Sequence, residues 1–228
     1  MKKLVLILFF ALFLASLFSI RATKSFFTDT EKATGNILSV ATEFSTTPSP
    51  TPTPAQQPGD VVINEINWSG SSLSTADEWV ELKNMTSNPI DISGWVIENL
   101  GESSSPNITI SSGSIPANGF FLISNNVETS SKINIVPDFV TTSISLANEG
   151  EQLRLKSNTN VLIDSANSTS GGWFTGEDPS PGPAKSMERN DSPGDGTVAG
   201  NWHTATSQTN MDGDAAELAT PRVANSTP

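Results

Sequence analysis

Acidic side chains gather in two glycine-containing stretches near the carboxyl end of the chain. Residues 190–196 read NDSPGDG and residues 211–217 read MDGDAAE. The aspartates that could bind a cation there are Asp191, Asp195, Asp212 and Asp214. Calcium takes roughly six to eight oxygen ligands, which acidic loops can supply, although neither stretch has EF-hand spacing. Asp and Gly also form ordinary turns, so a calcium site and simple turns remain alternatives. No other cofactor is predicted.

Nucleophilic catalysis by a Ser-His-Asp set would have to use His203, the single histidine of the chain. This residue follows Trp202 in a loop-rich tail, and no G-x-S-x-G nucleophile elbow occurs in the sequence. Cysteine is absent, which excludes disulfides, thiol nucleophiles and thiolate metal sites. We therefore predict no catalytic residues and no enzyme activity.

Carboxylate pairs for acid–base or glycosidic chemistry could be drawn from Glu65, Asp77, Glu78 and Glu81. Glu65 and Glu81 each lie among apolar residues in the middle of a predicted strand. If they are buried they need partners, because an unpaired buried carboxylate is costly. Backbone N–H groups, or Arg154 and Lys156, could supply those partners. We interpret both glutamates as hydrogen-bonding residues that specify the fold.

The charge of the chain restricts its partners. Residues 59–228 contain seven Lys and Arg against 21 Asp and Glu, a net charge of −14. Such a field repels a phosphate backbone, which argues against nucleic acid as a partner. Divalent cations and basic partners are favoured instead, although acidic residues also keep an exported surface soluble.

The first 58 residues have the organisation of an export leader and a spacer. Lys2 and Lys3 precede an apolar run over residues 4–20, so residues 1–22 are either a cleaved signal peptide or a retained membrane anchor. Residues 23–44 form a segment next to the leader. Residues 45–58 hold five prolines, which predict an extended linker. Both alternatives place the remaining chain outside the cytoplasm, secreted or at the cell surface.

Period-two alternation of apolar residues begins after the linker and predicts an all-β domain over residues 59–225. The run VVINEINW predicts one face with Val62, Asn64, Ile66 and Trp68. Short strands, among them ISL at residues 144–146, are separated by turn residues about every 8–15 positions. This spacing predicts an antiparallel sandwich or barrel. The strand GFFLIS is apolar on both faces, which predicts that it is covered on both sides.

The pattern of these segments resembles the lamin-tail domain family. The matching pieces are INEI (63–66), DEWVEL (77–82), NPIDISGWVI (88–97), SIPANGFFLIS (114–124), SLANEGEQLRL (145–155), VLID (161–164), KSMER (185–189) and NW (201–202). The last two, KSMER and NW, resemble the carboxyl-terminal part of the prokaryotic, secreted members. Ala219 and Arg222 depart from the pattern, since the prokaryotic members usually carry Gly at these positions. Separately, FTDTE (27–31) and TGN (34–36) resemble the leader of camelysin-type secreted matrix proteins.

The family resemblance implies an immunoglobulin-like antiparallel β-sandwich with a binding or structural role. The matching motifs are framework strands and turns, so no binding residue is carried over. We predict a non-catalytic module that binds an extracellular protein or surface polymer, with membrane contact only through residues 4–20 if the leader is retained. Two alternatives remain: an accessory or targeting domain of a secreted hydrolase, and a matrix-fibre subunit that self-assembles.

Overall fold

A computed structural model describes residues 55–101, 103–179 and 182–228. The predicted leader, the segment that follows it and residues 45–54 of the predicted linker lie outside the described residues. In the described part of the chain, no helix has both the length and the apolar character needed to cross a membrane.

Twelve strands and two short 3-10 turns make up the regular structure of the described residues. The strands are β1 (Val61–Asn67), β2 (Trp79–Asn84), β3 (Ile90–Asp91), β4 (Val96–Glu98), β5 (Ile108–Thr109), β6 (Ser114–Ile115), β7 (Phe120–Ser124), β8 (Phe139–Val140), β9 (Leu153–Lys156), β10 (Leu162–Ala166), β11 (Met187–Arg189) and β12 (Trp202–Thr204). The 3-10 turns are Glu128–Ser130 and Ala199–Asn201. The all-β prediction is confirmed.

The strands form two principal sheets that pack face to face. The larger sheet has the order β12-β11-β1-β2-β7-β8, and the smaller has the order β10-β9-β4-β5. All neighbouring strands are antiparallel except β7 and β8, which are parallel. Strands β3 and β6 form a separate pair. The domain is therefore an immunoglobulin-like β-sandwich, as the sequence predicted.

The main core fills the space between the two sheets. Trp95 and Ile97, which the alternation placed on one face, are both buried there, as are Phe121 and Ile123. Leu122 points to the other face of the larger sheet and is buried in a second apolar cluster. Strand β7 is thus covered on both sides, which confirms that prediction. Gly94 has φ of 77°, a conformation that glycine adopts without strain at the turn before Trp95.

Two strand predictions were wrong. Strand β1 carries a bulge between Ile63 and Glu65, so the face of the strand changes there. Ile63 and Ile66 both enter the main core, whereas uninterrupted alternation would have placed them on opposite faces. The segment ISL at 144–146 is not a strand, since Ile144 forms only an isolated bridge with Gly101.

Candidate functional site

Four titratable side chains lie in a row across the outer face of the larger sheet. The strand register places Glu81 on β2 opposite Glu65 on β1, Glu65 opposite Glu188 on β11, and Glu188 opposite His203 on β12. We call these residues the carboxylate row. The three glutamates are fully buried, and His203 is 9% exposed. The bulge in β1 makes this arrangement possible, because it turns Glu65 away from the main core toward Glu81.

Residues 218–226, here called the strap, cover the carboxylate row. The backbone N–H of Thr220 donates to Glu65 Oε1 at 2.9 Å, and that of Arg222 donates to Glu81 Oε2 at 2.5 Å. Ser186 Oγ also donates to Glu65 Oε1, at 2.6 Å. The prediction that Glu65 and Glu81 accept backbone N–H groups is confirmed.

The alternative partners predicted for these glutamates were wrong. Arg154 and Lys156 both pair with Glu98, at 3.2 and 2.6 Å. Strand β9, which carries these two residues, pairs with β4 in the smaller sheet. Their side chains therefore have a carboxylate partner on the neighbouring strand.

Glu188 is the third acceptor for the strap. Its Oε1 accepts from Thr220 Oγ1 at 2.6 Å, and its Oε2 accepts from the backbone N–H of Ser226 at 2.9 Å and from the Ser226 hydroxyl. His203 Nε2 lies 3.0 Å from Glu188 Oε2, and His203 Nδ1 lies 2.8 Å from Asn190 Oδ1. Sequence reasoning missed Glu188, whose neighbours in the chain give no sign that distant residues cover it.

Burial raises the pKa of two carboxyl groups in the row. For Glu65, desolvation together with the charges of Glu81 and Glu188 raises the pKa well above its usual value, against the hydrogen bonds from Ser186 and Thr220. For Glu81, desolvation raises the pKa to about 8. Glu65 Oε2 is buried without a hydrogen-bond partner. Close carboxyl groups out of water resist ionising together, so burial favours the neutral forms of Glu65 and Glu81.

The row does not have the geometry of a hydrolytic site. A Ser-His-acid triad places the acid and the serine on opposite imidazole nitrogens. Here Glu188 and Ser226 both face His203 Nε2, at 3.0 and 3.5 Å, and an amide faces Nδ1. A glycosidase pair needs a substrate between its carboxyl groups, whereas the strap occupies that space. This arrangement fixes the strap and does not present a nucleophile.

An open cleft of about 440 Å³ lies beside the start of β2. Its lining includes Thr75, Glu78, Asn125, Ser145, Asn148 and Glu149. Glu78 Oε2 accepts from the backbone N–H of Leu146 at 3.2 Å, and Asn125 Nδ2 donates to the Ile144 carbonyl at 2.8 Å. We call this the Glu78 cleft. It contains the one glutamate of the sequence candidates that faces an open cavity among the described residues.

The pKa of Glu78 is shifted toward neutrality. Desolvation raises it to about 7, the Leu146 N–H opposes the shift, and the nearby charge of Glu151 adds to it. A perturbed carboxyl group in a concave site is a usual mark of a functional position. The cleft can accept a hydrogen-bond donor or cation at Glu78, with Glu149 at its margin.

The four aspartates predicted for calcium lie on two loops. Asp195 accepts from the Thr197 N–H at 2.9 Å and lines a second cleft of about 590 Å³, while Asp191 is exposed nearby. Asp214 pairs with Lys132 at 3.0 Å, and Asp212 is half-buried close to it. Over the described ranges, no three His, Cys, Asp or Glu side chains are grouped so that they could hold a metal ion. Calcium binding stays a prediction.

Comparison with known proteins identifies a family for most of the domain. The family model described as Lamin Tail Domain matches residues 54–170, which include β1 to β10 and the Glu78 cleft. Strands β11 and β12, with Glu188, His203 and the strap, lie beyond the matched range. A search of curated proteins found no match.

Proposed function

Because the chain belongs to the lamin tail domain family, we propose that it is a non-catalytic binding module of the secreted, prokaryotic type that works outside the cell. The family match supports an immunoglobulin-like module without catalysis. The basic residues and apolar run of the leader support export, and the resemblance of residues 27–36 to camelysin-type leaders agrees with it.

One observation carries the binding role: the Glu78 cleft is open, polar and centred on a carboxyl group whose pKa lies near neutrality. The lining residues include two acids, Glu78 and Glu149, and no Lys or Arg. A complementary partner therefore presents an ammonium or guanidinium group, or several N–H and O–H donors. Surface proteins with basic segments and amine-bearing surface polymers have this chemistry.

Binding to the producing organism's own surface tests the proposal. The full chain, tagged at its carboxyl end, is incubated with isolated surface polymers and surface proteins, and retention is compared with that of Glu78→Gln. We expect retention that falls at least severalfold in Glu78→Gln and stays unchanged in Asp191→Asn. The control removes the same charge from an exposed loop outside the cleft. Equal retention of both variants would show that the Glu78 cleft is not the binding site.

Location is tested separately by adding proteinase to intact cells that express the tagged chain. We expect the tag to be digested on whole cells or found in the medium. A tag protected until the cells are lysed would contradict the extracellular role. The matrix-fibre alternative makes a different prediction, since the purified chain would then assemble into filaments at high concentration.

A further inference from the structure

The carboxylate row provides part of the hydrogen bonding that holds the strap, and Asn225 adds hydrogen bonds to the Asn64 and Arg189 carbonyls. Three strap amides, those of Thr220, Arg222 and Ser226, each donate to a different glutamate of the row. The apolar contribution of the strap is small: Ala219 is its one member in the second apolar cluster. Part of the attachment of the strap therefore depends on carboxyl groups of the row, including Glu65 and Glu81.

Backbone strain weakens this attachment at one point. Arg222 has φ of 65°, in the left-handed region that favours glycine, and its buried Nε has no hydrogen-bond partner. Its guanidinium pairs with Asp138 across the edge of the sheet. The family pattern usually has Gly at this position, so this chain carries strain that Gly would not.

Among the described residues, the charged groups that face the row come from the elements packed around it. They are Glu65 on β1, Glu81 and Lys83 on β2, Glu188 on β11, His203 on β12, Arg222 on the strap and Asp138 before β8. Strand β7 contributes Leu122, which has no charge. The partner of Arg222 is Asp138, and Lys83 lies over the Phe120 ring at 5.5 Å. Three buried carboxyl groups are thus only partly compensated by cations.

We propose that the strap is a pH-governed latch, docked on the carboxylate row in mildly acidic medium and detaching from the sheet as the medium becomes alkaline. When the strap leaves, water reaches Glu65 and Glu81, and their carboxyl groups return toward the ordinary pKa of a solvated glutamate. At pH values between the pKa of the open row and the raised pKa of the docked row, the docked row binds more protons than the open row. By linkage, rising pH favours the open state in that range.

The unpartnered Glu65 Oε2 supports the same conclusion from geometry. It lies fully buried between two other carboxyl groups and receives no hydrogen bond. An ionised Glu65 in this place is desolvated and repelled by its neighbours, whereas a neutral one is not. Opening the latch would also withdraw Ala219 from the second apolar cluster, which it shares with Trp79, Leu122 and Met211.

Hydrogen exchange of the full chain between about pH 5 and pH 9, corrected for intrinsic rates, tests the latch. We expect protection of the Thr220 and Arg222 amides to fall up to about tenfold per pH unit for each proton released. Amides in the middle of the sheet, such as Val80, keep their protection. Equal loss of protection at strap and sheet amides, or strap protection that does not change with pH, would overturn the proposal.

Two variants sharpen the result. Glu65→Gln keeps a hydrogen-bond acceptor for Thr220 and removes the ionisable group, so strap protection should lose much of its pH dependence. Glu98→Gln, on the smaller sheet, should leave the wild-type dependence intact. If the pH dependence of strap protection is the same in Glu65→Gln as in the wild type, the proposal is contradicted. If that variant fails to fold, the wild-type comparison of strap with sheet amides still decides the question.

Discussion

Replacing Arg189 by Met tests the buried ion pair that joins the two principal sheets. Arg189 lies on β11 in the larger sheet, and Asp164 lies on β10 in the smaller one. The guanidinium is fully buried, with its Nη1 3.4 Å from Asp164 Oδ2. Asp164 Oδ2 also accepts from the Ile63 N–H at 2.8 Å, so the pair connects β10 to β1.

The guanidinium makes further contacts that Met cannot replace. Its Nε donates to the Pro193 carbonyl at 2.7 Å, and its Nη2 donates to the Gly194 carbonyl at 2.9 Å. It also stacks over the Trp202 ring at 4.7 Å. Arg189→Met keeps the packing over Trp202 and removes every one of these donors.

The expected cost follows from what the substitution leaves behind. Burial raises the pKa of Asp164 even though Arg189 opposes this, so desolvation outweighs the attraction within the pair. The cost of Arg189→Met is therefore chiefly that of an uncompensated buried carboxylate, about 3–5 kcal/mol. Asp164→Asn costs less, about 1–3 kcal/mol, because the amide oxygen still accepts from Ile63. The two changes should couple by about 1–3 kcal/mol.

Urea unfolding at pH 7, followed by tryptophan fluorescence, measures all three free energies of unfolding. Arg154→Met is the matched control, since the Arg154 side chain is 41% exposed and its ion pair with Glu98 is worth under about 1 kcal/mol. A loss below about 1 kcal/mol for Arg189→Met would refute the reasoning. So would strict additivity of Arg189→Met and Asp164→Asn.

Three further predictions follow from the same contacts. The free energy of unfolding should fall as pH rises from about 5 to about 8, by about 1.4 kcal/mol per unit for each proton, because the folded-state pKa values of Glu65, Glu78 and Glu81 lie above those of the unfolded chain. A flat profile in urea unfolding would contradict this. Trp79→Ala, Trp95→Ala and Phe121→Ala should each cost about 3–5 kcal/mol by thermal unfolding, since all three side chains are buried; near-wild-type melting of all three would not be compatible with the strand assignment. Gly196→Ala should destabilise strongly, because an added Cβ would lie 2.0 Å from the Ser165 carbonyl oxygen and 2.2 Å from Arg189 Nη1, whereas Gly200→Ala, with open space around it, should change melting little.

The sequence predicted faces correctly wherever alternation was uninterrupted. In β2, Val80 and Leu82 enter the main core and Trp79 lies on the other face, as period two requires. The alternation fails at Asn64 in β1. The Asn64 side chain donates to Glu81 Oε1 at 2.9 Å and to Asn225 Oδ1 at 2.8 Å. Because Asn225 is a partner far along the chain, local sequence gave no sign of the bulge.

The candidate site shows the same limit. Glu65 and Glu81 could be recognised as partnered from their apolar neighbours, because a lone buried carboxylate is unfavourable. The strap could not be recognised as their partner, because TPRVANS has no strand pattern of its own. The sequence did not distinguish Glu78 from the other candidate acids, because the loop at 142–149 that forms the cleft with it is distant in the sequence. Contacts between loops that are distant in the sequence produce no local periodicity, so they could not be predicted from it.

The basic residues bear on the choice of partner as much as the acids do. In the described part of the chain, six of the seven Lys and Arg form ion pairs with carboxylates: Lys132, Arg154, Lys156, Lys185, Arg189 and Arg222. The seventh, Lys83, lies over the Phe120 ring. A phosphate backbone would have to break these pairs before gaining any contact, and it would do so against the field of a strongly acidic domain. A basic partner meets no such cost at the Glu78 cleft, where the lining acids have no Lys or Arg beside them. The distribution of charge, beyond its total, therefore favours a cationic ligand over a nucleic acid.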